Sequence, residues 1–331
     1  MTTGVSVLGA GSWGTTLADL LARKGHSVTL WAREPEVVAS IIESSENTTF
    51  LPGVKLSENL APTGSFEEAL KGKKFVVSVI PSHVLRSAFE AATRFIADDA
   101  IIISATKGIE ESTLLRPSGV IKDVLGRKNP VVALSGPSFA KEVSRRLPAA
   151  VSAASESFEA ARLAQDLFST EYFRVYTNPD VTGVELGGAL KNVIALASGA
   201  SDGLGLGHNA RAALITRGLA EMARLGARLG ADPATFSGLS GLGDLVLTCT
   251  GPLSRNYTVG LEIGKGRSVT DVLKGMKTVA EGVKTSRAAK LLSVSNKVEM
   301  PIIEAVYGVL YEGKSAKETV YDLMTRGLKG E

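Results

Sequence analysis

The chain has 331 residues, 44% hydrophobic and 21% charged, a length and balance that predict a soluble globular protein of roughly two domains. Its 37 Lys and Arg against 34 Asp and Glu leave a net charge of only +3, too slight for a nucleic-acid or membrane-surface partner. One cysteine, Cys249, excludes a disulfide framework and a cysteine-rich metal site. Together with three scattered histidines it argues against any metal, and a reduced, cytoplasmic setting is expected.

Val5–Gly9 reads as a buried strand and Trp13–Lys24 as a helix, with Trp13, Leu17, Leu20 and Leu21 spaced at three and four and Gly25 ending it. Ser27–Ala32 is a second strand, and Pro35 opens the next helix. Residues 1–18 carry no side-chain charge, but glycines break the stretch and no Lys or Arg precedes it, so it is not read as a signal peptide. Further strands are expected at Phe75–Ile80, Ala100–Ser104, Val131–Leu134, Ala149–Ala153 and Tyr172–Tyr176, with a helix at Ser157–Ser169. Near-continuous apolar strands alternating with helices predict a mostly parallel sheet covered on both faces. After about residue 180 only helices are expected: Val181–Ser201, Asn209–Leu229, Gly241–Thr250, Ser254–Gly264, Ala280–Ser293, Glu299–Glu312 and Ala316–Arg326. The Gly-rich run Gly199–Gly207 reads as close helix packing or a helix break. No run of about 18 apolar residues predicts a membrane span. The expected architecture is an α/β, Rossmann-like N-terminal domain with a doubly wound, mostly parallel sheet (1–185), then an all-α C-terminal domain (186–331). A small-molecule cleft is expected where they join.

Gly9-Ala-Gly11-Ser-Trp-Gly14 has the G-x-G-x-x-G pattern, after a predicted strand and opening a predicted helix. In a dinucleotide site the first glycine makes the tight turn, the second admits the pyrophosphate and the third packs helix on strand, while the helix N-terminus attracts the anion. The end of the second strand selects the cofactor. Arg33 favours NADP and Glu34 would suit the ribose of NAD, so the reading leans to NADPH with NADH open.

Three further segments have unusual chemistry: Thr106-Lys107-Gly108 and Ser135-Gly-Pro-Ser-Phe-Ala140 at strand ends, and Leu190-Lys-Asn-Val-Ile194 in an apolar helix. A lysine partly desolvated there would have a lowered pKa and could exchange a proton with a carbonyl/alcohol pair beside a nicotinamide. Asp244, in Gly241-Leu-Gly-Asp-Leu-Val-Leu247, and Asn192 could hold it. Ser254-Arg255-Asn256 reads as a helix start, where Arg and free N–H groups suit a phosphate.

These segments, in this order and with Asn209-Ala-Arg-Ala-Ala-Leu-Ile-Thr-Arg-Gly218, resemble the bacterial-type NAD(P)-dependent sn-glycerol-3-phosphate dehydrogenases over about residues 4–325. The resemblance implies an enzyme interconverting dihydroxyacetone phosphate and sn-glycerol 3-phosphate, which supplies the glycerol phosphate backbone of phospholipids, works without a metal and forms a homodimer. It implies cofactor contacts from Gly9, Gly11, Ser12, Trp13, Gly14, Arg33, Lys107, Ala140, Arg255, Val279 and Glu281. Lys107, Gly136, Ser138, Lys191, Asp244, Ser254, Arg255 and Asn256 would hold the substrate, and Lys191 would be the general acid/base. His26, His208 and Cys249 read as structural, and His83 as structural or lining the cofactor. Two rivals are a 6-phosphogluconate or 3-hydroxyacid dehydrogenase of the same plan and a non-catalytic NAD(P) sensor. The joint presence of Lys107, Lys191, Asp244 and Ser254–Asn256 speaks against both.

Overall fold

The computed structural model describes residues 2–126, 129–275, 280–328 and 330. The chain separates into two compact units, Met1–Lys107 with Leu115–Val184, and Gly108–Leu114 with Glu185–Glu331. The sequence reading put one division at 185/186; the structure changes units between Val184 and Glu185 and assigns the short Gly108–Leu114 segment to the second unit.

The first unit holds eight strands: β1 Gly4–Leu8, β2 Ser27–Trp31, β3 Leu60–Thr63, β4 Phe75–Ser78, β5 Ile101–Ser104, β6 Val131–Ser135, β7 Ala149–Ala154 and β8 Phe173–Asn178. They form one sheet in the order β3-β2-β1-β4-β5-β6-β7-β8, parallel except for β6 against β7. β4, β5 and β6 are buried throughout because side chains alternate into two cores. Ile101 and Ile103 join Val5, Val7 and Val77 on one face, where Leu17, Leu20 and Leu21 of the helix Ser12–Arg23 pack. Ile102 and Val76 face the other way, against Leu85 and Phe89 of Leu85–Ala92 and Val120 and Ile121 of Pro117–Leu125. β3 escaped the sequence reading. It is a four-residue edge strand containing Pro62, which supplies no ladder donor and breaks the apolar pattern.

Strand order reverses at β1, with β2 on one side and β4 on the other. At such a switch point the loops leaving the carboxyl ends diverge and open a crevice for a ligand.

Among the described residues the second unit contains only helices. Its central helix, Val181–Gly203, is buried on nearly every side, with Leu186, Leu190, Val193, Ile194 and Leu196 in the core. It meets the helix Arg255–Gly264 through glycines from both partners. A Cβ on Gly260 would stand 1.9 Å from the Leu196 carbonyl oxygen, and one on Gly199 2.0 Å from that of Tyr257. Gly203 and Gly264 are equally constrained, by the carbonyls of Leu261 and Ala200 at 2.3 Å. The two backbones therefore touch over two turns. The Gly-rich run also ends the helix, since Gly205 and Gly207 take positive φ of 73 and 83°. The short helices Pro233–Phe236 and Val269–Lys274 went unread because neither reaches two turns; Asp232 and Ser268 cap them.

Candidate active site

The first unit presents a dinucleotide turn between β1 and the helix Ser12–Arg23. Gly9 has φ +108°, and a Cβ there would lie 2.9 Å from the Val79 carbonyl oxygen. A Cβ on Gly14 would overlap the Gly9 carbonyl oxygen at 1.8 Å, so the third glycine lets helix close on strand. Gly11 differs: an added Cβ meets no protein atom within 4 Å. Packing does not require glycine at 11, and the open space beside its backbone is what an approaching pyrophosphate needs. Gly11 is also the N-cap, and no side chain caps the first-turn N–H groups behind it. On these grounds the residues fit a dinucleotide. The turn is braced from behind: Ser12 Oγ donates to the Phe50 carbonyl at 2.5 Å, and Asn47 Nδ2 to the Ala10 carbonyl at 2.8 Å. Trp13 is half-buried, its ring 6.3 Å from that of Phe173.

β1, β2, β4, β5 and β6 run parallel, so their carboxyl ends share one edge of the sheet. Arg33, Lys107 and Gly136 follow β2, β5 and β6 at that edge. Arg33 is exposed and paired with Glu34 at 2.7 Å. Gly136, at φ +152°, passes so near β7 that a Cβ would be 2.8 Å from the Val151 Cα. Ser138 Oγ donates to the Gly136 carbonyl at 3.0 Å, and the Ala140 carbonyl accepts from Thr16 Oγ1 at 3.4 Å, tying this loop to the helix behind the dinucleotide turn.

The second unit builds a buried charged cluster. Lys191 Nζ donates to Asp244 Oδ1 at 2.6 Å and to Thr248 Oγ1 at 2.7 Å, with the two charged side chains only 7 and 1% exposed. Thr248 Oγ1 in turn donates to the Asp244 carbonyl at 2.6 Å, so its lone pair is aimed at the ammonium. Desolvating both charges costs several kcal/mol, on the order that only a close, hydrogen-bonded pair offsets, so removing either partner strands the other. Asp244 begins the helix Asp244–Thr250. The sequence reading ran this helix back to Gly241, but residues 239–243 form a wider turn in which Gly243 N–H donates five residues back, to the Gly238 carbonyl. The wide turn fits because two glycines admit it. A Cβ on Gly187, one turn before Lys191, would lie 2.4 Å from the Ser240 carbonyl oxygen, and one on Gly241 2.1 Å from that of Phe236.

Asn192, expected beside the lysine, braces a different contact. Its Oδ1 accepts from Asn256 Nδ2 at 2.9 Å, and Asn256 Oδ1 accepts from Gly282 N–H at 3.0 Å. Three helices are thereby tied at one point, and Gly282 is small because the Asn192 carbonyl would be 2.5 Å from its Cβ. Ser254, buried, caps the helix Arg255–Gly264 by accepting from Tyr257 N–H at 3.2 Å. Arg255 and Asn256 occupy the first turn, whose N–H groups have no intrahelical acceptor. Arg255 is exposed by surface area, yet loss of hydration pulls its guanidinium below its ordinary range, opposed by the charge of Glu281. It stays charged at neutral pH in either case.

Comparison with known proteins decides the family. Models described as the N-terminus and the C-terminus of NAD-dependent glycerol-3-phosphate dehydrogenase match residues 4–161 and 180–321. The chain belongs to that family. It is 56% identical over 329 residues to a protein of Citrifermentans bemidjiense named glycerol-3-phosphate dehydrogenase (NAD(P)+), covering 99% of this chain and 98% of the relative. A protein of the same name from Geobacter metallireducens is 57% identical over 332 residues, with the same coverage. Among solved structures, a glycerol-3-phosphate dehydrogenase from Coxiella burnetii superposes with a TM-score of 0.95 at 38% identity, covering 98% of this chain and 99% of that one.

In this member of the glycerol-3-phosphate dehydrogenase family, Thr248 went unread as a site residue. The available signal was its place four residues after Asp244, on the same helix face. Glu281 opens the helix Glu281–Ser295, whereas Val279 lies outside the described residues. The His26 ring nitrogens have no hydrogen-bond partner among the described residues, and burial followed by the charge of Lys24 pulls its pKa down. His208 Nδ1 meets Arg211 Nη2 at 2.7 Å, and His83 lies in the helical turn Ser82–Val84 after β4. Cys249 is buried, and burial pushes its thiol up to about 12.

Proposed function

We propose that this chain is an NAD(P)-dependent oxidoreductase that interconverts dihydroxyacetone phosphate and sn-glycerol 3-phosphate. The product would supply the glycerol phosphate backbone of phospholipids. One observation carries the reading beyond family membership: Lys191, buried and fixed by Asp244 and Thr248, is a positioned proton donor of the kind a carbonyl reduction needs. The bound nicotinamide supplies the hydride. Gly9, Gly11, Ser12, Trp13, Gly14 and Ala140 would hold the dinucleotide, with Arg33 meeting a 2′-phosphate, which favours NADPH over NADH. Arg255, Ser254 and Asn256 at the helix start would take the substrate phosphate, and Asn256, tied to Asn192 and Gly282, would hold that helix start in place. Lys107, Gly136 and Ser138 would line the remaining substrate atoms, and Val279 and Glu281 the cofactor. Lys191 would deliver its proton to the carbonyl oxygen as the alcohol forms and recover it in reverse. Asp244 would keep the ammonium oriented, and Thr248 would fix its second hydrogen bond. No metal takes part in this scheme. The reading includes a cytoplasmic homodimer, which sedimentation equilibrium tests. No helix among the described residues is long and apolar enough to cross a membrane.

The deciding experiment mixes purified protein with dihydroxyacetone phosphate and NADPH or NADH and follows the near-ultraviolet band of the reduced nicotinamide. Oxidation with at least one cofactor is expected, and none with either overturns the proposal. Lys191→Ala should still bind cofactor but lose about 10²-fold or more in turnover. Arg33→Ala should raise the apparent KM for NADPH more than for NADH, and equal effects would remove Arg33 from the cofactor site.

A further inference from the structure

A cavity of about 350 Å³ opens in the first unit, and among its lining residues are five cations, Arg23, Lys55, Lys141, Arg145 and Arg146, with Ser144 and no carboxylate. They come from three separate segments: the end of the helix Ser12–Arg23, the loop 51–55, and the helix Ala140–Val143 with the turn after it. Part of this wall is rigid. Arg23 Nε donates to Asp19 Oδ2 at 2.7 Å, Asp19 Oδ1 accepts from Ser57 N–H at 2.8 Å, and an Arg23 Nη2 proton goes to the Lys55 carbonyl. Lys141, Arg145 and Arg146 form no ion pair among the described residues.

Arg146 adds a second sign of a built site. It takes φ +61°, the left-handed conformation that ends the helix, with its own N–H on the Val143 carbonyl and that of Leu147 on the Glu142 carbonyl. Glycine fills such a position most cheaply. Here the strained position carries a long cation at the wall of a concave, already positive surface. Like charges converging on a cavity raise the potential inside it and demand a counter-charge. Arginine forks match phosphoryl oxygens in pairs. The volume suits a small molecule.

We propose that this cavity is an anion site for a small polyvalent compound, carrying two phosphoryl groups or a phosphoryl and a carboxylate. It shares no residue with the dinucleotide turn, and Arg23 stands roughly 16 Å along its helix from Ser12. The proposal does not depend on the role given to Lys191.

The test is calorimetric titration of the full chain, its dinucleotide and substrate sites first saturated with NADPH and sn-glycerol 3-phosphate, with inorganic tripolyphosphate and, separately, orthophosphate. Saturable one-site binding is expected, at least tenfold tighter for tripolyphosphate. The Arg145→Ala/Arg146→Gly double variant should lose at least tenfold in affinity. Glycine relieves the left-handed strain at 146, so the fold should persist, as circular dichroism would check; Lys55→Ala, away from that turn, should weaken binding in the same direction. Absence of saturable binding, or insensitivity to the cavity variants, would each overturn the proposal. So would co-sedimentation with phosphatidylglycerol vesicles that needs Arg145 and Arg146 while tripolyphosphate fails to bind, since the occupant would then be a membrane surface.

Discussion

Gly9 of the first unit holds φ +108° in a loop, whereas Gly260 of the second lies inside a helix, where a Cβ would run into the Leu196 carbonyl oxygen at 1.9 Å. At Gly9 glycine supplies conformational freedom in a turn that bares backbone N–H groups. At Gly260, as at Gly14, it supplies smallness, and in the second unit this lets two helices meet backbone to backbone and hold Lys191, Asn192 and Asn256 in register. Binding and stability should therefore come apart under the same chemical change, depending on which glycine receives it.

The largest effect is expected from Gly260→Ala. Helix propensity alone would favour alanine by about 1 kcal/mol. The close contact predicts the opposite sign, a loss of about 1–3 kcal/mol or more from overpacking. A denaturant melt decides, and an unchanged or raised midpoint would refute the backbone-contact reading of the second unit.

Glu221 sharpens the same contrast with a polar tie. Buried in the helix Gly207–Arg228, it accepts from Ile302 and Ile303 N–H at 2.8 and 3.2 Å and so caps the helix Pro301–Tyr311. Burial nevertheless pushes its carboxyl up to about 7, against those two hydrogen bonds and Arg224. The folded state thus holds the proton more tightly than the unfolded state. Its stabilising contribution is full below the unfolded value of 4.5 and is lost as pH rises through about 7. The loss is on the order of 3 kcal/mol. Glu221→Gln, which cannot ionise, should flatten the fall in stability across that window. An equally steep fall in the variant would assign the slope to other groups.

Gly11→Ala should do in the first unit what Gly260→Ala cannot do in the second. No protein atom meets the added methyl, so the melting temperature should hold while dinucleotide affinity falls by about tenfold, on the order of 1.4 kcal/mol. A drop in stability with affinity intact would reverse the assignment. The smallest effect is at Cys249. With its thiol raised to about 12, an alkylating reagent should react at neutral pH only as fast as the unit opens, and fast labelling of the native protein would contradict its burial.

Local backbone demands were legible in the sequence. The glycines at 9, 11 and 14, the helix after them, the apolar strands and the change to helices near residue 180 each follow from neighbours within a few positions, where spacing and conformational preference are written. Lys191 and Asp244 stood out because a charge in an apolar helix is conspicuous. Asp244 and Asn192 were both open as partners of Lys191, and only the fold, across 53 residues, selected Asp244, turned Asn192 to Asn256 and added Thr248 across 57. Nothing local records such distances. The wide turn before Asp244, the Asn192–Asn256–Gly282 tie, the Glu221 cap and the five converging cations likewise exist only once separate segments meet. Spacing along a chain fixes which face a residue occupies; which faces then touch is settled by packing, and in this protein glycine at the points of contact decides how close they come.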